Sequence, residues 1–206
     1  MQNLADDIAA KLKITSEAGT IDVYIFANQA DYKDFVGRRF PDVPYRRALF
    51  VLENGRSMVF TARGRDFETD LRHECTHALL HAALPMVPLW LDEGLAEYFE
   101  VPPGNRAFGS PYLKTIRWAC RFRRVPDLGR LESLGSMQAM GEREYREAWS
   151  WVHFMLHGPP PAQEELIAFL KRIHDYTPPG SLKAHLSQRI PDLRRAYIDH
   201  FLTWHE

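Results

Sequence analysis

The spacing of apolar residues changes along the chain, and each spacing predicts a different element. Leu4, Ile8 and Leu12 recur every four residues, which predicts a helix over residues 3–13. In residues 21–26, isoleucine and valine alternate with other side chains, and this two-residue period is typical of a β-strand. The chain is therefore expected to begin with a helix that leads into the first strand of a sheet.

The next apolar segments predict a short helix and a β-hairpin. A helix is expected around residues 31–36, and Gly37 is expected to end it. Residues 48–53 and 56–61 are two apolar runs on either side of Asn54-Gly55. Asn-Gly between two such runs is the strongest short-range hairpin signal, because both residues of the tight turn must take a positive φ.

From residue 67 onwards the pattern is mainly helical. Helices are predicted over residues 67–83, 112–124, 142–157, 162–176 and 191–204, with one more around residue 93. Trp118 is expected on the apolar side of its helix, and the prolines at 159–161 are expected in a loop. This order predicts an α+β fold in a single domain, with a sheet-bearing lobe over about 1–85 and a helical lobe over 86–206.

Composition and charge exclude several classes of partner. A chain of 206 residues can bury its own core, and a net charge of −1 gives no reason to expect nucleic acid or an anionic membrane as partner. No apolar run reaches the length of a membrane span. The first residues lack the basic segment and apolar core of a signal peptide, so a cytoplasmic protein or the mature part of an exported one is expected. Composition does not distinguish a monomer from an oligomer.

Residues 73–77 read His-Glu-Cys-Thr-His inside the long predicted helix. Histidines four residues apart lie on one helix face, about 6 Å apart along the axis, so His73 and His77 can direct imidazole nitrogens at one ion. Glu74 lies beside these ligands but not in line with them, where a general base can take a proton from a metal-activated water. Cys75 points away from the ligand face, and a place in the core is expected for it.

A second motif supplies the third ligand. Residues 90–99 read Trp-Leu-Asp-Glu-Gly-Leu-Ala-Glu-Tyr-Phe, and the fifteen residues between His77 and Glu93 leave room for a turn and a returning helix. Two histidines, a glutamate and a water form a known catalytic zinc set. Glu97 lies one helical turn after Glu93 and is expected to accept the second N–H of a ligand histidine. The competing interpretations are a solvent-facing Glu97 and a chance match of the histidine motif.

Together the two motifs resemble the gluzincin metallopeptidases, in particular small bacterial domains of the peptidase MA-like superfamily. In that family the glutamate of a Trp-Leu-x-Glu-Gly segment is the third zinc ligand, which corresponds to Glu93 here. The M1 aminopeptidases are more distantly similar, with a longer gap before this ligand. The resemblance implies a Zn²⁺ cofactor, a zincin-like fold with the metal between the two lobes, and a peptide or protein substrate. It also implies that the strand just before the active-site helix forms an edge that pairs with extended substrate.

Tyr145 is the candidate donor to the negative charge that develops on the substrate carbonyl oxygen. It begins an apolar stripe along one face of the predicted 142–157 helix. The start of this helix resembles, over a short stretch, the M1 helix that carries the transition-state tyrosine, although the three residues that follow differ from the family pattern. His153 on the same helix is the alternative donor, and a buried structural role is the alternative for Tyr145.

Three functions follow from these residues. The first is a zinc peptidase, in which Glu74 serves as base. The second is a non-catalytic gluzincin-like module that keeps the fold for binding a partner, and the third is a zinc hydrolase of a non-peptide amide. Degenerate members of such families usually lose a ligand or the base, so the presence of His73, Glu74, His77 and Glu93 favours an enzyme.

Overall fold

The fold combines a small mixed sheet with a majority of helices. The computed structural model describes residues 2–14 and 19–204. In these residues the order is α1 (Gln2–Leu12), β1 (Ile21–Phe26), α2 (Gln29–Arg39), β2 (Ala48–Glu53), β3 (Arg56–Ala62), α3 (Phe67–Ala83), α4 (Leu89–Phe99), α5 (Leu113–Arg121), α6 (Leu128–Glu132), α7 (Glu142–His157), α8 (Pro160–His174), α9 (Leu182–Arg189) and α10 (Leu193–Thr203). The α+β class expected from the sequence is confirmed.

The sheet has the strand order β1–β3–β2, with β1 parallel and β2 antiparallel to the central β3. The hairpin prediction is confirmed, because Asn54 (φ 51°) and Gly55 (φ 77°) form the two-residue turn between β2 and β3. The strand just before α3 is β3, which is paired on both sides. The expectation that this strand forms an edge is therefore wrong, and the edge beside the motif helix is β2.

Local signals predicted many of the helix bounds, and the departures have local causes. α3 and α7 span the predicted residues. α2 continues past Gly37, because one exposed glycine costs a helix only about 1 kcal/mol. Pro160 and Pro161 form the first turn of α8 instead of a loop, since the first turn of a helix does not use its N–H groups. Trp118, expected on the apolar side of α5, is 54 % exposed.

The main core is continuous from α1 to α10, and its centre is the packing of α4 against α3 and α7. Gly94 permits the close approach of α4 and α7, because a Cβ there would lie 2.9 Å from the backbone of Ala148. α4 is thus held beside α3 on one side and α7 on the other, and Glu93 is buried at this junction. None of the described helices combines the length and the apolar character needed to cross a membrane.

Candidate metal centre

Three side chains from α3 and α4 converge on one point. Nε2 of His73 lies 3.5 Å from Oε2 of Glu93, and Nε2 of His77 lies 3.7 Å from the same oxygen. All three atoms lie within 4.8 Å of one another. A tetrahedral zinc ion with bonds of about 2.1 Å holds its ligand atoms about 3.4 Å apart. The distances from Glu93 to the two histidines, 3.5 and 3.7 Å, are therefore compatible with one shared zinc ion.

Glu93 carries an oxygen without a partner. Its side chain is 3 % exposed, and its Oε2 is buried with no hydrogen bond from any described residue. A buried ionised carboxylate costs several kcal/mol unless it is paired or coordinates a metal. Burial alone would raise the pKa of Glu93, but the imidazole of His73, 3.5 Å from Oε2, and the charge of His77 lower it overall. The donor set therefore fits a bound cation that takes up this charge.

His73 is oriented by a residue other than the predicted one. Its Nδ1 lies 2.9 Å from Oε2 of Glu100, and donation there leaves the lone pair of Nε2 directed at the site. Among the described residues, no hydrogen bond joins Glu97 to His73 or His77; its carboxylate lies against the hydroxyl of Tyr112 and within 4.8 Å of a ring nitrogen of His73, so its support of a ligand histidine stays a prediction. Burial, with the charge of Glu100, raises the pKa of Glu97 to about 7. Glu100 follows the last residue of α4, beyond the helical turn on which the prediction rested.

Asp92 contacts two histidines of α3. Its Oδ1 lies 3.0 Å from Nδ1 of His77, although the two atoms are not aligned as a straight hydrogen bond, and its Oδ2 lies 3.0 Å from Nε2 of His81. Burial would raise the pKa of Asp92, but His77 and then His81 hold it well below its usual range. Sequence reasoning missed Asp92 and Glu100, although both lie in or directly after the acidic motif. A search of that motif for carboxylates other than the ligand could have found them.

A second group of potential ligand atoms, from His73, Glu97 and Glu100, also lies within 4.8 Å of one another. His73 and Glu100 already satisfy each other through a hydrogen bond, and all three side chains are only partly buried. The set that contains Glu93 has a buried oxygen without a partner, so it is the better fit to a metal ion.

Glu74 is fixed by the neighbouring edge strand. The backbone N–H of Phe50 in β2 donates to Oε2 of Glu74 at 2.7 Å, and the Glu74 side chain is buried. One carboxylate oxygen is thus tied to the sheet. Glu74 also lines a cleft together with His77 and Glu93, so its other oxygen can serve the chemistry of that cleft.

The cleft beside the ligands has a volume of about 570 Å³. Its apolar wall comes from the loop before β2, from β2 itself and from the turn before α7. Its lining residues are Asp42, Val43, Pro44, Arg46, Leu49, Phe50, Glu74, His77, Asp92, Glu93, Met137, Gln138 and Met140. Two of the three predicted ligands, His77 and Glu93, therefore open onto a space that can hold a side chain of a bound molecule.

Tyr145 reaches this region from α7, whereas His153 does not. Burial, followed by the charge of Glu93, raises the pKa of Tyr145 to about 12, so its hydroxyl keeps its proton at neutral pH. His153 is fully buried, with Nε2 3.0 Å from the carbonyl of Ala107 and Nδ1 3.0 Å from Nε2 of His200. Both ring nitrogens of His153 are engaged in the helical core, which removes it as the alternative donor.

No protein-family model matches the chain, and no curated protein is significantly similar to it. The resemblance to gluzincins therefore rests on the two motifs and on the side chains described above.

Proposed function

We propose that this protein is a gluzincin-type zinc peptidase with a zincin-like fold. The observation that carries the proposal is the convergence of His73, His77 and Glu93 on one point, with the buried Oε2 of Glu93 left without a partner. When bound, zinc would lower the pKa of a water molecule and polarise the carbonyl of the substrate. The chain's own residues supply the remaining parts of the reaction.

Glu74 is the proposed general base. The hydrogen bond from Phe50 holds one of its oxygens, so the other has a fixed direction in the cleft and can accept the proton of the attacking water. The same carboxylate can then deliver this proton to the nitrogen of the leaving amine. Position supports this role, because Glu74 follows a ligand histidine directly yet is absent from the group of ligand atoms.

Tyr145 is the proposed donor to the carbonyl oxygen as negative charge develops there. Its hydroxyl is protonated at neutral pH and lies close enough to Glu93 for the charge of that carboxylate to raise its pKa. A protein donor held in place before the reaction needs no reorganisation when the charge appears, and this is the main source of its catalytic effect.

The free edge of β2 is the proposed docking strand for extended substrate. Glu53 and Arg56 close the two-residue turn, so Val51 and Leu49 form the hydrogen-bonded pairs with β3, and the backbone groups of Phe50 point outward. The hydrogen bond from Phe50 to Glu74 agrees with this direction. A peptide aligned along β2 would therefore lie beside Glu74, where its backbone can add a strand to the sheet.

Metal analysis joined to a peptide-library digest tests the proposal. We expect about one zinc per chain and hydrolysis of some library peptides by the wild type. Glu74→Gln should keep zinc and lose hydrolysis, whereas Glu68→Gln, an exposed glutamate on the same helix, should keep both. If zinc-loaded wild type cleaves no peptide but hydrolyses non-peptide amides, the protein is an amidase instead. Zinc without any hydrolysis would favour a binding module.

A further inference from the structure

Arg46 is a half-buried cation in the cleft, and no carboxylate of the protein pairs with it in the described residues. It is the only lysine or arginine among the described residues that line the cleft. No carboxylate oxygen in residues 2–14 and 19–204 lies within 4.0 Å of its guanidinium nitrogens. The hydroxyl of Tyr145 is a neutral hydrogen-bond partner of Arg46, so the lost hydration of the cation is only partly compensated and its charge is not neutralised. Its environment therefore favours an anion supplied from outside the chain.

The side chain of Gln29 contacts the residues on both sides of Arg46. Nε2 of Gln29 donates to the side-chain hydroxyl of Tyr45 at 3.0 Å and to the backbone carbonyl of Arg47 at 3.1 Å. The second of these hydrogen bonds ties the backbone directly after Arg46 to α2. Less conformational freedom is then lost when the guanidinium binds a ligand.

The next residue, Arg47, provides a direct contrast. Its guanidinium is exposed and pairs with Asp66 and Asp70 at 2.8 Å each, so the protein satisfies its charge. Two adjacent arginines on one loop thus differ in both direction and partner. Arg47 closes the loop onto the start of α3, whereas Arg46 faces the cleft.

Arg46 lies beside the hydroxyl of Tyr145. The guanidinium of Arg46 is close enough to the Tyr145 hydroxyl to oppose the rise in its pKa that burial causes. If Tyr145 faces the carbonyl oxygen of the scissile bond, then Arg46 faces a group a short distance along the substrate. The planar fork of an arginine matches the two oxygens of a carboxylate, and a bidentate pair of this kind fixes both position and orientation.

We propose that Arg46 binds a carboxylate of the substrate close to the scissile bond, so that the enzyme selects peptides that carry a negative charge there. This inference rests on the proposed zinc peptidase function and specifies its substrate class. The carboxylate is either the C-terminus of the peptide or the side chain of an aspartate or glutamate. Both sources offer the same pair of oxygens to the guanidinium.

Matched peptides distinguish the two sources. Each susceptible library sequence is made with a free C-terminal carboxylate, with a C-terminal amide, and as an amide in which a glutamine near the scissile bond is replaced by glutamate. Zinc-loaded wild type should cleave one of the charged forms with a kcat/KM at least about tenfold above that of the neutral amide. Arg46→Gln should lose this preference, Arg46→Lys should keep part of it, and Arg47→Gln should keep all of it.

The contrary outcomes are equally definite. A preference that survives in Arg46→Gln, or its absence in the wild type, would overturn the inference. An equal loss for all three forms would show that Arg46 acts on the carbonyl oxygen instead. Zinc content and thermal unfolding show whether each variant is folded. If Arg46→Gln does not fold, the comparison is made with Arg46→Lys instead.

Equilibrium binding separates a failure of this inference from a failure of the proposed function. The same three peptide forms are titrated into zinc-loaded Glu74→Gln, with Arg46 intact or replaced by Gln. A preference for the carboxylate form that depends on Arg46 supports the binding role even if the wild type hydrolyses nothing. Equal binding of charged and neutral forms with Arg46 intact would overturn the role even if the wild type is a peptidase.

Discussion

Two helices of this protein each carry a pair of histidines four residues apart, His73 with His77 on α3 and His153 with His157 on α7. The rings of the two pairs are similarly spaced, with centroids 4.9 Å and 4.7 Å apart, respectively. Their surroundings are opposite. The α3 pair meets three carboxylates, of Asp92, Glu93 and Glu100, whereas the α7 pair lies among aromatic rings and neutral donors and acceptors.

The electrostatics of the two pairs follow from these neighbours. Burial alone would lower the pKa of His73, but the hydrogen bond with Glu100 and the carboxylate of Glu93, 3.5 Å away, raise it well above its usual value. On α7, burial lowers the pKa of His153 to about 3 and that of His157 to about 4, and no carboxylate opposes it. The hydroxyl of Tyr98 forms a hydrogen bond with Nε2 of His157 at 2.7 Å, so that nitrogen is occupied. Histidine spacing alone therefore does not distinguish a metal site from a neutral core pair, whereas converging carboxylates do.

The largest expected effect is a difference in zinc content between variants of the two pairs. His77→Ala should lose nearly all of the roughly one zinc ion per chain, because two ligands cannot hold the metal as three do. His157→Ala should keep its zinc and lose only stability, because it leaves a cavity and an unpaired Tyr98 hydroxyl. Metal analysis after gel filtration, with thermal unfolding of both variants, measures this. Zinc loss from a folded His157→Ala would break the comparison.

A second prediction concerns α7, which places Tyr145 near Glu93 and His153 in the core. Tyr145→Phe should lower kcat by about 10²-fold with little change in KM or zinc content, because only the donor to the developing charge is removed. Tyr98→Phe is the matched control, since it also deletes a buried tyrosine hydroxyl and should lower the free energy of unfolding by about 1 kcal/mol without changing kcat. Equal kcat in the two variants would assign Tyr145 a structural role.

The carboxylates around the α3 pair sharpen the comparison further. Glu100→Gln should weaken zinc binding by roughly 10- to 100-fold, because Nδ1 of His73 loses the charged partner that orients its ring. Glu97→Gln should leave the affinity nearly unchanged, since among the described residues Glu97 contacts Tyr112 and has no hydrogen bond to a ligand histidine. Competition with a chelator of known affinity measures both. The reverse ranking would support the role that the sequence predicted for Glu97.

The smallest expected effect is a loss of stability in acid that comes from the α7 region. His153 and His200 have a folded pKa of about 3, against about 6.5 when unfolded, so below about pH 6.5 the unfolded chain binds more protons. Their contribution to stability is complete above that pH. It should fall by up to about 2 kcal/mol per histidine between about pH 6.5 and 5. Urea unfolding at a series of pH values, with zinc chelated, measures this. The free energy of unfolding should fall less steeply with decreasing pH for His200→Gln than for the wild type. Both proteins keep His73 and His77, so those histidines do not cause the difference. Equal slopes would mean that these histidines already titrate in the folded protein.

Local physics explains what could be predicted from the sequence. The turn between β2 and β3 needs two residues with positive φ, and Asn-Gly is the sequence that takes this conformation most readily. The bounds of α3 and α7 follow from apolar periodicity. The set of His73, His77 and Glu93 follows from helical spacing and from a segment between His77 and Glu93 that is long enough for a turn and a second helix. Each of these predictions depends on neighbours within a few turns of the chain.

Features that depend on distant contacts were not available from the sequence. Trp118 has the spacing of a core residue, but it lies exposed on α5 against the equally exposed ring of Phe122. His153 and His73 are each the first of two histidines four residues apart. Their neighbours differ only because α7 packs against α10 and α3 packs against α4. Tertiary packing likewise decided that Glu100 and not Glu97 forms the hydrogen bond with His73, because a hydrogen bond depends on where a side chain ends in space. The sequence by itself therefore determined which residues can bind a metal, and the packing of helices decided which of them meet.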